Sequence, residues 1–296
     1  MLSKIAIDNA VVKAKFHLER GEIIKAQKIY QNILHIYSKE TKKIQKTLSS
    51  SNKLNQLNDL LISTKKNTIE LLYEDEFLKI SYCFGVNSNR CLVAFTGIGH
   101  SLGGIEVQSE EFFSQHKFGM VIWITDKHRS WGNNLNVIKI SKYIKDLVCG
   151  KDIFIIGNSM GGFLGILFSG ALKAKSVLAF VPQFSVSPRI VPTETRWMDY
   201  RINIKKYLYD DLSNSFNDNI KYAILLGSGG AEEIHYNKFL TFSNKPNIQI
   251  YKFVHAQHNV ARYLKHLNLL NDCINTFFNQ ISLKKFFLKN SIKISS

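Results

Sequence analysis

The chain has 296 residues, 45% of them hydrophobic, enough for one mixed α/β domain with an appendage. It contains no run of about 18 uncharged apolar residues, which excludes a conventional spanning helix. Its start, "MLSKIAIDNAVVKAKFHLERGE", breaks its apolar stretches with Asp8, Lys13 and Lys15 and so lacks the core of a secretory signal.

Lysine and arginine total 39 against 23 acids, a net charge of +16. Such an excess suits polyanions, and a biased codon usage rich in Lys, Asn and Ile produces it equally well. The basic residues are spread along the chain rather than gathered in an aromatic-interleaved stripe, so nucleic acid is not an expected partner. In chain order, residues 4–37 are expected to be helical. "AKFHLERGEIIKAQKIYQNILHIYS" spaces Gly21, Ala26 and Tyr30 as a helix–turn–helix repeat does, and resembles a single tetratricopeptide unit. One such unit cannot bury its own face, so it packs on the main domain or docks a protein partner. Residues 38–66 are polar and serine-rich and read as a helical linker, which makes 1–66 an N-terminal extension.

From residue 70 the period changes. Apolar runs at "FLKISYCF", "RCLVAFTG", "MVIWITD", "DIFIIG", "SVLAFVP", "YAILLG" and "NIQIYKFV" are separated mostly by helix-length stretches. That alternation predicts a mostly parallel central sheet flanked by helices over 70–280. The tail, 281–296, is basic and carries Phe286, Phe287 and Ile292. It reads either as a frayed, solvated terminus or as a segment that lies on an anionic membrane surface.

Two stretches fit G-x-S-x-G: "GHSLGG" at 99–104 and "GNSMGG" at 157–162. A nucleophile elbow needs a strand, a sharp turn bearing the serine and a helix buried under the sheet. Ser159 has all three. "DIFIIG" runs directly into the turn, Gly157, Gly161 and Gly162 supply positions without side chains, and "FLGILFSGALKA" is apolar on nearly every side. Ser101 is separated from its strand by Ile98, Gly99 and His100. The following "IEVQSEEFFSQHK" is amphipathic and acidic and is expected to be a surface helix. Ser101 also has too few strands before it. With Ser159 as nucleophile, residues 70–280 resemble the α/β-hydrolase family in elbow and strand order.

The resemblance implies the order Ser, acid, His, with the His on the exit loop of the last strand. That loop, "HAQHNV", offers His258, preferred because it stands a few residues beyond the strand, and His255 as the alternative. The acid is expected shortly after "YAILLG", where the usual aspartate position is Gly230. Glu232 and Glu233 follow, and the sequence does not choose between them. The resemblance also implies an oxyanion hole from the amides of Met160, after the nucleophile, and Ile98, in the loop after "CLVAFTG". "GHSLGG" then belongs to that loop. Candidate substrate-binding residues are His100 in this loop and Arg129 and Trp131 in "DKHRSWGNN". Arg196 and Trp197 join them in a proline-rich cap over 182–215. Guanidinium forks pair with carboxylates and indole faces stack on sugars, although the cap tryptophan also serves as the centre of a small core of its own.

The expected activity is that of a serine hydrolase cleaving a carboxylic ester or thioester through an acyl-serine. One alternative is an O-acyltransferase that passes the acyl group to a bacterial surface glycan. The other is a non-catalytic scaffold on the same fold. No nucleotide-binding motif appears, so no cofactor is expected, and no His/Asp/Glu cluster implies a metal. Cys83, Cys91, Cys149 and Cys273 are scattered, with no C-x-x-C pair, and read as reduced thiols of a cytoplasmic protein.

Overall fold

The apolar runs of the sequence line up as neighbours in one nine-stranded sheet. The computed structural model describes residues 69–85, 89–102, 105–112, 118–148 and 150–295, with the backbone alone at 100–102 and 105–106. The extension expected over 1–66 and Cys149 lie outside the described residues. The strands are β1 (Glu70–Glu74), β2 (Leu78–Phe84), β3 (Arg90–Phe95), β4 (His100–Leu102), β5 (Ile105–Val107), β6 (Met120–Asp126), β7 (Asp152–Asn158), β8 (Ser176–Phe180), β9 (Lys221–Gly227), β10 (Ile248–Phe253) and β11 (Ile294–Ser295). The sheet order is β1-β2-β6-β3-β7-β8-β9-β10-β11. The run from β6 to β10 is parallel throughout, while β1, β2 and β11 pair antiparallel at the edges. No membrane-spanning helix is present among the described residues.

The chain leaves β3 towards β6 on one side and returns to β7 on the other. The carboxyl ends of β3 and β7 therefore flank a crevice at a topological switch point, the usual ligand position in such sheets. Helices cover both faces because the inner strands are apolar on both. Along β3, Cys91, Val93 and Phe95 face one core with α1 (Val137–Val148) and α2 (Met160–Leu172), while Leu92 and Ala94 face the other. That second core holds α5 (Val260–His266), α6 (Leu270–Phe278) and α7 (Leu283–Lys289). The remaining helices are the single turn α3 (Met198–Arg201) and α4 (Glu232–Leu240), which precedes β10. The described cysteines, Cys83, Cys91 and Cys273, are free and buried, and burial raises each thiol pKa.

Two expectations are corrected. The stretch after "GHSLGG" does not begin as a surface helix. Residues 105–107 form β5, which pairs with β4 in a two-stranded hairpin that places Ser101 opposite Glu106, so Ser101 sits on a hairpin and not on an elbow. Three residues per strand are too few for an alternation to show in the sequence. The tail does not fray. Ser282 caps α7 by accepting from the Lys285 amide, Leu283, Phe287 and Ile292 are buried, and β11 pairs with β10. The domain therefore runs past 280 to Ser295. The lysines that made the segment look solvated, Lys284, Lys285 and Lys289, point outward from an amphipathic turn.

Candidate active site

Ser159 stands between β7 and α2 at φ 56°, ψ −121°, a strained conformation for a residue with a side chain. The surroundings over-determine it: its amide donates to the Phe180 carbonyl at 2.8 Å, and its carbonyl accepts the Phe163 amide at 3.1 Å. The glycines of the elbow are required by contact. A Cβ at Gly157 would lie 2.1 Å from the Gly161 carbonyl oxygen, and one at Gly161 would lie 2.1 Å from that of Phe95. Close strand–helix approach admits no side chain at these glycines, which is why the motif stands out between an apolar strand and an apolar helix.

His258 sits in a 3-10 turn, Gln257–Asn259, after β10. That turn presses against the end of β9, where a Cβ at Gly227 would fall 1.6 Å from the Gln257 carbonyl oxygen. Glu232 opens α4 after two glycines at positive φ, Gly229 and Gly230. The three side chains meet. The Ser159 Oγ and His258 Nε2 are 2.9 Å apart, and the His258 Nδ1 and Glu232 Oε1 are 2.8 Å apart. An ionised carboxylate only accepts, so Nδ1 carries the proton and Nε2 is free to accept from the serine hydroxyl. Burial alone would push the Glu232 carboxyl up. Hydrogen bonds and charge from His258 and Arg196 outweigh it and hold the group below the usual carboxylate range.

Of the two candidate acids, the structure brings only Glu232 to the histidine. Glu233 turns to the other side of the helix, pairing with Lys252 and accepting the Gly229 amide. His255 is exposed and apart from this chain of contacts. Ile98 and Met160 follow the carboxyl ends of the neighbouring strands β3 and β7, and among the described residues neither amide meets an acceptor. The loop bearing Ile98 is clamped. Glu111 accepts the Gly97 amide at 2.9 Å, Gln108 donates to the Gly97 carbonyl at 3.0 Å, and Arg129 Nε donates to the Ile98 carbonyl at 2.9 Å. Holding the Gly97 carbonyl fixes the peptide plane that carries the Ile98 N–H.

The residues expected to bind substrate are placed as follows. Arg129 is tied to the Ile98 carbonyl and stacks over Tyr200 at 5.0 Å. Trp131 is fully buried and donates its indole N–H to Gln183 Oε1 at 2.9 Å, so it lines no open surface. Arg196 forks onto Glu194 through Nε and Nη2 and reaches Glu232 with Nη1, so its guanidinium bridges two carboxylates. Trp197 is half-buried, with its ring 5.3 Å from that of His258, and Arg196 Nη1 also lies 3.4 Å from His258 Nδ1. The side chain of His100 lies outside the described residues.

Sequence reasoning missed three features. Gln183, fully buried after β8, donates from Nε2 to Ser159 Oγ at 3.0 Å. Glu194 and His235 form a buried pair at 3.0 Å beneath Arg196. Gln108 and Glu111 hold the Gly97 peptide. A polar residue directly after a strand beside the nucleophile's strand was the available signal for Gln183, since the parallel strand ends converge there. Among the described residues no group of three His, Cys, Asp or Glu side chains is placed to hold a metal.

No family model and no curated protein matches the sequence. Solved structures do match. The capsule O-acetyltransferase of Neisseria meningitidis serogroup A is 15% identical at a TM-score of 0.50, over 70% of this chain and 98% of that one. The carboxylesterase CesB from Bacillus subtilis is 12% identical at 0.46, over 76% and 97%. A lidless α/β serine hydrolase from Xanthomonas campestris is 11% identical at 0.44, over 68% and 89%. At such identities the likeness is one of fold alone, a mostly parallel central sheet flanked by helices.

Proposed function

We propose that the protein is a serine hydrolase that cleaves a carboxylic ester or thioester through an acyl-Ser159 intermediate. The observation that carries this reading is the unbroken contact chain Ser159–His258–Glu232, set on a strained elbow beside two unengaged amides. In the first half-reaction Ser159 Oγ attacks the acyl carbonyl carbon and His258 Nε2 takes the hydroxyl proton. The amides of Ile98 and Met160 hold the resulting oxyanion. The intermediate collapses as the leaving alcohol or thiol departs with the proton from His258. Water then attacks the acyl-serine, gives its proton to His258, and the acid is released as Ser159 recovers that proton. Glu232 keeps the imidazole in the required tautomer and stabilises its charged form.

A second reading, transfer of the acyl group to a glycan hydroxyl, is favoured by the indole face of Trp197 beside His258, suited to stacking on a sugar ring. Turnover of p-nitrophenyl acetate and an acetyl thioester tests both. Hydrolysis without acceptor, reduced by about 10⁶ in Ser159→Ala and His258→Ala, supports the hydrolase. Thioester turnover that requires an added oligosaccharide moves the acceptor to a sugar. Absence of any turnover in the wild type favours the scaffold.

A further inference from the structure

Gln183 touches the same oxygen that His258 touches, and no part of the reaction above uses it. It is fully buried, and so is its own partner Trp131. An indole N–H can only donate, so the oxygen of the Gln183 amide must face Trp131, which leaves the NH₂ facing Ser159. The orientation of the whole chain then follows with no freedom left. Trp131 donates to Gln183, Gln183 donates to Ser159 Oγ, Ser159 donates to His258 Nε2, and His258 donates to Glu232. Trp131 itself is held in a strained backbone at φ 50°. The buried Asp126 carboxylate secures that loop by accepting the amides of Ser130 and Gly132 at 2.9 and 3.0 Å. Strain maintained around a buried indole that packs against a second buried polar group marks a placement with a use.

We infer that Gln183 is a catalytic residue of the proposed acyl transfer. Its Nε2–H donates to Ser159 Oγ, keeps the hydroxyl proton aligned on His258, and stabilises the negative charge that Oγ carries as its bond to the acyl carbon forms and breaks. The inference rests on the Ser159 reading. In attack, the Oγ–H bond breaks towards His258 while the Oγ–C bond forms, and oxygen is most anionic between the two. In deacylation the same oxygen leaves the acyl carbon and regains its proton from His258. A donor fixed on Oγ strengthens as that charge grows, which is the condition for lowering a barrier. Trp131 acts through Gln183 and is a positioning residue.

The rate of labelling by a fluorophosphonate isolates the attack step. Gln183→Met keeps the size of the side chain and removes the donor. It also leaves the buried Trp131 N–H without its acceptor, so melting falls, and labelling of the folded variant is expected to slow by about 10- to 100-fold. Gln183→Glu, when ionised, competes with His258 for the serine proton and is expected to be slower still. Its rate relative to wild type rises as pH falls and the carboxyl gains a proton, a dependence a purely structural role would not show. Trp131→Phe frees the amide to turn and is expected to lose part of the same factor, and to add little to Gln183→Met in the double variant. Should Gln183→Met fail to fold, Trp131→Phe carries the test: slower labelling supports the inference and an unchanged rate overturns it. Folded Gln183→Met that labels at the wild-type rate overturns the inference alone. Wild type that never labels overturns the Ser159 reading and the inference with it.

Discussion

Glu232 is asked to do two things with one oxygen. Its Oε1 takes both the His258 imidazole and the Arg196 guanidinium, while Oε2 is buried with no partner among the described residues. A glutamine there presents an NH₂ as readily as a carbonyl and lets the imidazole hold the wrong tautomer, so Glu232→Gln is expected to slow turnover by about 10⁴. The comparison is kcat against Glu233→Gln, which should stay near wild type because that side chain faces Lys252. Beneath Arg196, burial would raise the Glu194 carboxyl, yet hydrogen bonds from His235 and Arg196 and the arginine charge bring it down to about 2. A depressed carboxyl contributes stability above its unfolded value near 4.5, and that contribution is lost as pH falls towards 2. Glu194→Gln should therefore melt well below wild type at pH 7, by on the order of 3 kcal/mol, with the gap closing towards pH 3. An equal gap at both values would contradict this pairing.

At the scale of elements, the site depends on strand ends that approach within van der Waals contact. Gly227 ends β9 under the histidine turn, and any Cβ there collides with the Gln257 carbonyl, a backbone atom that moves only with the turn. Gly227→Ala is expected to cost about 1–3 kcal/mol and to pull His258 off Ser159, so labelling falls further than stability does. The loop that bears Ile98 has its own proton. Burial lifts the Glu111 carboxyl to about 7 against the Gly97 amide that it accepts. The native chain thus holds a proton between about 4.5 and 7 that the unfolded chain has released, and stability from this group falls as pH rises through that window. Glu111→Gln keeps the acceptor and removes the charge, so it should raise the melting temperature at pH 8 and leave it nearly unchanged at pH 5.

At the scale of the molecule, the C-terminal segment closes the sheet on the side of β10, the strand that delivers the histidine. Phe287 packs on Tyr251 and Phe253 of that strand, with ring centroids 5.3 and 5.1 Å apart. Truncation after Gln280 would uncover this face and a free strand edge, with an expected loss of several kcal/mol and poorer solubility. The inner sheet was legible in the sequence because strands buried on both faces are nearly continuous apolar runs, and Ser159 was legible because its glycines are demanded by contact. The tail was not, since its lysines outnumber the three side chains it buries. Nor could the sequence separate Glu232 from Glu233, because neighbours at a helix start differ only in the direction they point. Gln183 and Trp131 meet across 52 positions, and neither carries a local pattern that announces the other.

The central claim, that Ser159 is the nucleophile, is tested most directly by reacting the purified chain with a fluorophosphonate and mapping the modified peptide by mass spectrometry. The account predicts a single adduct on the peptide holding Ser159, retained in Ser101→Ala and lost in Ser159→Ala and His258→Ala. An adduct on Ser101, or one that survives Ser159→Ala, would contradict it.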